Sequence, residues 1–222
     1  DVIEVVKKHP RLKLKYGFNH RYHESIKDAF TIIKSGELGN ILDLNAVYGK
    51  SKVVTAAGPN ADWRSKREIA GGGILLDQGI HMVDLIRYFS GDFEEVYSFI
   101  SNNYWEYDVE DNAYAIMRTI DGKVAVLQSS ATQWRHDFRL HITLSKGSIL
   151  LKGILSSTKS YGAETLTVAY KSDDEHGDPK EKTIRYNYDP SWEDEVDEFA
   201  KAIVEDSPII SGTPEDAYKT ME

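Results

Sequence analysis

The chain has 222 residues, 41% of them hydrophobic and 28% charged, a balance that suits one large folded domain or two small ones with a sizeable core. A net charge of −9 without a compensating Lys/Arg patch excludes a nucleic-acid-binding face, and no apolar run approaches the roughly 18 residues of a bilayer-crossing helix, so neither nucleic acid nor membrane is an expected partner. The absence of Cys excludes disulfides, thiol nucleophiles and thiolate metal sites, and it suits a reducing compartment, with a cytoplasmic location as the expectation.

Val2 to Lys8 reads as the last turns of a helix without its beginning, stopped by Pro10. Leu12-Lys13-Leu14-Lys15-Tyr16-Gly17-Phe18 alternates as a strand does, and Asn19-His20-Arg21-Tyr22 follows at a strand-to-helix junction. Ile26, Ala29, Phe30 and Ile33 recur at helical spacing up to Ser35-Gly36, and Ile41 to Tyr48 reads as a strand. Residues 51 to 73 form a long loop containing Gly58-Pro59-Asn60 and Asp62-Trp63-Arg64. A helix then carries Asp77, His81 and Asp84 and ends near Ser90-Gly91.

Strand follows strand from there. Asp121-Gly122 is the strongest hairpin signal in the chain, between Tyr114–Arg118 and Val124–Gln128. Phe138 to Leu144 pairs with Ser148 to Leu151 around Lys146-Gly147, and Leu166 to Tyr170 with Thr183 to Tyr188 across the acidic loop Ser172 to Pro179. Ser191 with Asp194 resembles a capping box for a helix lined by Trp192, Val196, Phe199, Ala200 and Ile203. Thr213-Pro214-Glu215-Asp216 starts a final helix that is expected to be truncated at Glu222. Strands in a run rather than in alternation with helices predict an α+β fold with a large, mainly antiparallel open sheet and helices on one face.

The chemistry concentrates in Gly71-Gly72-Gly73-Ile74-Leu75-Leu76-Asp77-Gln78-Gly79-Ile80-His81-Met82-Val83-Asp84. At about 100° per residue, positions 77, 81 and 84 share one helix face. A carboxylate four residues from an imidazole is what a proton-moving pocket needs, and the glycine run allows backbone or ligand to come close. The same three side chains also permit a metal site, a weaker alternative because no other histidine has matching spacing. Trp63-Arg64 offers an aromatic wall and a cation to a polyol or an acid, or else anchors the loop by Trp burial. No Gly-x-Gly-x-x-Gly or Walker motif is present.

Taken together, Gly17 to Tyr22, Gly36-Glu37-Leu38-Gly39-Asn40-Ile41, Trp63-Arg64, the glycine run with Asp77, Gly79, His81 and Asp84, the Trp192 to Ala200 helix and the Gly212-Thr213-Pro214 turn resemble the Gfo/Idh/MocA oxidoreductases. That family is named for glucose–fructose oxidoreductase and inositol dehydrogenase. The resemblance implies that residues 1–222 form its second, substrate and catalytic domain, like the C-terminal domain of glyceraldehyde-3-phosphate dehydrogenase. Residues 1–9 would be the tail of a preceding Rossmann-domain helix, and 213–222 the start of a truncated final helix. His81 would be the acid/base on a substrate hydroxyl and Asp77 its tuning partner, with Asn19, Arg21, Trp63 and Arg64 lining the substrate or nicotinamide side. NAD or NADP would be bound mainly by an N-terminal domain, because the family's glycine-rich loop and Glu-Lys-Pro element have no counterpart in this sequence. The implied activity is dehydrogenation of a sugar or polyol, which this fragment alone would not complete, with a homo-oligomer formed through the open sheet. The alternative is a non-catalytic sugar-binding or dimerisation module.

Overall fold

A computed structural model of the chain describes residues 2–52, 63–156, 158–172 and 177–222. Gly58-Pro59-Asn60, Asp62 and part of the loop from Ser172 to Pro179 lie outside the described residues. The chain opens with helix α1 (Val2–Lys8), which buries no residue. A short 3-10 turn (Asn19–Tyr22) leads into α2 (Glu24–Ser35), which ends where Gly36 turns left-handed at φ 73° and its N–H donates to the Ile33 carbonyl. Strand β1 (Ile41–Gly49) comes next, then a 3-10 turn (Trp63–Ser65), the short α3 (Arg67–Ala70), a π-helical turn (Leu75–Gly79) and α4 (Ile80–Ser90). Strands β2 (Phe93–Ser101), β3 (Asn112–Thr119), β4 (Val124–Ser130), β5 (Asp137–Leu144), β6 (Gly147–Lys152), β7 (Glu164–Tyr170) and β8 (Glu181–Tyr186) follow, then α5 (Ser191–Val204) and α6 (Pro214–Met221).

All eight strands join one sheet in the order β2-β3-β4-β1-β5-β6-β7-β8. Neighbouring strands are antiparallel except β1 and β4, which run parallel. The period-2 alternation divides the faces cleanly. Leu44, Ala46, Tyr48, Ala125, Leu127, Phe138, Leu140, Ile142, Ile149, Leu151 and Leu166 are buried beneath Ile26 and Ala29 of α2 and Met82, Leu85 and Ile86 of α4. Among the described residues no helix packs on the opposite face, where Tyr97, Ile116, Val126, Asn45, His141, Leu150, Thr167 and Thr183 fall in one register row. The predicted α+β class with a mainly antiparallel open sheet is the fold observed.

Three local expectations change. Leu12 to Phe18 is irregular and joins no strand among the described residues. Its groups are taken by α5 and by the chain just before α6: Lys15 Nζ donates to Glu198, Phe18 N–H to Glu195 and Tyr16 N–H to the Gly212 carbonyl. At α5 the side-chain cap is Asp189, whose Oδ1 accepts the Ser191 N–H at 3.0 Å, rather than Ser191 itself. Read as one 24-residue segment, Arg67–Ser90 does reach the length and mean hydropathy, 1.2, of a bilayer-crossing helix. Here its apolar stripe lies on the sheet, as core helices of that composition do.

Two glycines seat this segment. A Cβ on Gly73 would lie 2.1 Å from the Glu110 carbonyl oxygen, and one on Gly79 would lie 2.6 Å from Ser129 Oγ. The Glu110 carboxylate then accepts from the N–H of Gly73 and of Leu75, closing the helix start with a charge of the favourable sign. The close approach that the glycine run permits is therefore one of backbone to backbone. Gly73→Ala is expected to destabilise the chain by about 1–3 kcal/mol through overpacking, read as a lower urea midpoint. Gly17→Ala, whose added carbon meets nothing nearer than 3.6 Å, should leave the midpoint nearly unchanged.

Candidate active site

Asp77 on the π turn and His81 one turn later both face a cavity of about 580 Å³. Its other walls are Asn19 and His20 of the 3-10 turn, His23 just before α2, Tyr48 near the end of β1, Gln78, Ile154 to Ser156, Asp189 just before α5 and Trp192 in its first turn. Wide helical turns of this kind recur at functional sites because they re-aim a side chain without ending the helix.

Asp77 is gripped from both sides. Lys50, a buried lysine just past β1, places Nζ 2.6 Å from Oδ2, and Arg64 places Nε 3.0 Å from Oδ1. The Arg64 guanidinium also lies over the Trp63 ring at 4.3 Å. Trp63 and Arg64 thus border a neighbouring cleft of about 200 Å³ on the far side of Asp77. Asp77 acts on His81 through its field, with no hydrogen bond between them among the described residues.

His81 is the least satisfied group in the site. Its Nδ1 is buried and has no hydrogen-bond partner among the described residues, which leaves Nε2 as the nitrogen open to a ligand. Burial is the largest influence on its titration, opposed by the Asp77 charge, and pushes its pKa down from 6.5 to about 4. The ring lies flat against His20, centroids 4.1 Å apart and planes 12° apart. His20 is itself held by Asn19 Oδ1 at 3.1 Å and the Tyr48 hydroxyl at 3.0 Å. Tyr48 is pushed well above its ordinary range, mainly by burial, and stays protonated. Beyond it, the Tyr161 hydroxyl donates to Gln78 Oε1 at 3.0 Å.

Arg21, expected from the family resemblance to line the site, and Asp84, placed beside His81 by its spacing, have a different job. Both Asp84 oxygens are taken by the Arg21 guanidinium, whose third nitrogen donates to Asp216 at 2.7 Å. Burial opposes the Arg21 charge, yet Asp84 and Asp216 hold it fully cationic. Arg21 therefore ties α4 to α6 and does not line the cavity. Asp84 neither orients His81 nor joins Asp77 around a metal, and no group of three metal-ligating side chains occurs among the described residues. Asn19 does line the cavity, with Nδ2 3.5 Å from Ser191 Oγ.

His20, Tyr48, Lys50, Gln78, Tyr161, Asp189 and Trp192 are not singled out as site residues by spacing or motif, yet they wall the cavity or hold the groups that do. His20 carried a usable signal, lying inside the junction segment Asn19 to Tyr22. Lys50 carried none, because a buried lysine at a strand end is written like an exposed one.

An imidazole whose pKa is depressed by folding binds fewer protons in the folded state than in the unfolded one between pH 4 and 6.5. The His81 contribution is therefore present above the unfolded value and is lost as pH falls toward 4. Stability should rise with pH across this window, by up to about 3 kcal/mol from His81. Urea midpoints measured from pH 4 to 7 should show a visibly smaller slope in His81→Gln.

The family model described as GFO/IDH/MocA C-terminal domain matches residues 26–150. Among curated relatives, the levoglucosan dehydrogenase of Pseudarthrobacter phenanthrenivorans is 30% identical over 107 residues, 47% of this chain and 27% of its own. The uncharacterized oxidoreductase YrbE of Bacillus subtilis is 26% identical over 209 residues, 91% of this chain and 56% of its own. The fold is shared with levoglucosan dehydrogenase in complex with NADH and levoglucosan, at a TM-score of 0.73 and 22% identity over 91% of this chain and 60% of that one. It is shared also with an aldose-aldose oxidoreductase of Caulobacter crescentus complexed with glycerol, at 0.77 and 22% over 99% and 61%. This chain thus spans between about a quarter and about three fifths of these relatives' lengths. The chain belongs to the GFO/IDH/MocA oxidoreductase family, within which it is the C-terminal domain.

Proposed function

We propose that this domain supplies the substrate cavity and the proton-transfer half of an NAD(P)-dependent dehydrogenase acting on a hydroxyl of a sugar or polyol. The observation that carries this reading is His81. Its Nδ1 is sealed off and its Nε2 is left open in a cavity walled by hydrogen-bonding side chains. The names of the relatives point to sugars: levoglucosan dehydrogenase and aldose-aldose oxidoreductase.

A nicotinamide cofactor, when bound, would supply the acceptor for the hydride of the carbinol carbon. No glycine-rich phosphate loop occurs in this sequence, so the cofactor's phosphates would be held elsewhere in the enzyme. What this chain does is handle the proton. The substrate hydroxyl lies against His81 Nε2, its O–H bond breaks as the carbonyl forms, and the proton passes to that nitrogen. Burial keeps the imidazole neutral and ready to accept, while the negative charge of Asp77 favours the imidazolium once it forms. Lys50 and Arg64 hold that charge in place. Asn19 offers an amide to a second hydroxyl, and the exposed Trp192 offers an aromatic face to a sugar ring. Trp63 and Arg64 face the adjoining cleft, on the side where the rest of substrate or nicotinamide would sit.

The helix-free face of the sheet supports a homo-oligomer as part of the same reading. Phe99 is 80% exposed and Tyr97 72%, beside Ile116 and Tyr114 on the neighbouring strand. An apolar surface of this kind is more stable covered than wet.

In the cofactor-bearing enzyme, His81→Ala should lower kcat by about 10²–10⁴-fold and leave NAD(H) affinity nearly unchanged. A variant that turns over at the normal rate would reject the acid/base role. Sedimentation velocity should detect an assembly that Phe99→Glu with Ile116→Glu converts to monomer. A wild-type monomer at micromolar concentration would remove the oligomer from this reading.

A further inference from the structure

We propose that His20 is a positioning residue for His81: its ring fixes the plane of the neighbouring imidazole and shields one of its faces from water. The role rests on the reading of His81 as the acid/base, and it follows from how His20 itself is held.

His20 has no freedom to turn. Asn19 presents its amide oxygen to Nδ1, because the amide nitrogen is directed at Ser191 Oγ. An acceptor at that position makes Nδ1 the protonated nitrogen of His20. Its Nε2 is then an acceptor, and the Tyr48 hydroxyl donates to it. Burial, with His81 and His23 close by, keeps His20 well below the ordinary histidine range, so the ring is neutral. The result is a planar, uncharged slab clamped at both nitrogens.

His81 has no such clamp. Its Nδ1 meets no partner among the described residues, so no hydrogen bond fixes its plane or its tautomer. The flat contact at 4.1 Å with His20 is the constraint that replaces one. The other ionisable groups about the ring are Asp77 on the preceding turn, His23 from the start of α2, Tyr48 from β1 and Asp189 from the α5 side of the cavity. Of these, Asp77 favours the imidazolium and His23 opposes it. None of them stacks on His81 among the described residues. Removing the His20 ring would open that face to water, which solvates the imidazolium and raises the pH at which His81 titrates.

Two substitutions separate the ring from its hydrogen bonds. His20→Gln keeps polar atoms for Asn19 and Tyr48 but has no ring, whereas His20→Phe keeps a ring and loses both bonds. The measurement is the His81 imidazole titration in this chain with ¹³C- and ¹⁵N-labelled histidine, assigned with His81→Gln. The His81 midpoint should rise by at least about one unit in His20→Gln and stay within about half a unit of wild type in His20→Phe. The reverse ordering would show that the hydrogen bonds, not the ring, act on His81, and would overturn the proposal. So would no shift in a folded His20→Gln protein. If His20→Gln does not fold, a His81 midpoint that moves to the ordinary histidine value in folded His20→Phe overturns it as well, and one that stays low upholds it. The titration reads the ring directly, so its failure is distinguishable from a failure of the acid/base role, which the turnover of His81→Ala reports.

Discussion

The contact between Gly73 and Glu110 is the joint on which the site depends. The missing side chain lets the start of the helical segment press against the backbone that leads into β3, and the Glu110 carboxylate then satisfies two of the open N–H groups there. Gly79 repeats the arrangement against Ser129, whose hydroxyl donates in turn to the Ile74 carbonyl. With two close approaches on one segment, α4 has little latitude to slide or roll over the sheet. Asp77 and His81 lie between or beside those contacts, so their aim is inherited from backbone packing and not from a flexible loop. Precision of that kind is what a proton transfer needs.

Charge is distributed unevenly around this joint. Asp77 has two cations close by, whereas the imidazoles of His20 and His81 are both kept neutral by burial. The buried ionic network of Arg21, Asp84, Asp216 and Arg87 lies away from the cavity and connects α4 to α6. Breaking such a network leaves an uncompensated buried charge, so it acts as a fastening and fixes how the last helix sits against α4. The domain thereby separates a fixed ionic scaffold from a neutral, titratable pocket.

Much of this was legible in the sequence, for identifiable reasons. Strong local signals survived folding: Asp121-Gly122 forms its hairpin, Gly36 ends its helix, and Thr213 caps α6 with its side-chain oxygen at 3.1 Å from the Asp216 N–H. Asp77 and His81 were visible because a four-residue spacing on a helix is a local fact. What escaped depended on distant partners. Arg21 meets Asp216 across 195 positions, and nothing nearby in the chain distinguishes a structural arginine from a ligand-binding one. Leu12 to Phe18 alternates like a strand, but its partners are side chains of α5 and the carbonyl of Gly212, and no neighbouring strand. The cavity walls contributed by β1 and by the start of α5 are assembled by topology, which periodicity does not encode.

Among the described strands, β1 is the one that pairs with no close neighbour in sequence. Its ladders join Asp43 to Val124 on one side and Leu44 to Ile142 on the other, while β2-β3-β4 and β5-β6-β7-β8 are each built from consecutive antiparallel strands. Local hairpins close cheaply, but the central pairings must pay the entropy of loops roughly eighty to a hundred residues long. Two half-sheets can thus form early and wait for a strand made long before them to slot between. Tyr48 belongs to that strand and Lys50 lies just beyond it, so the cavity is finished only when the sheet is.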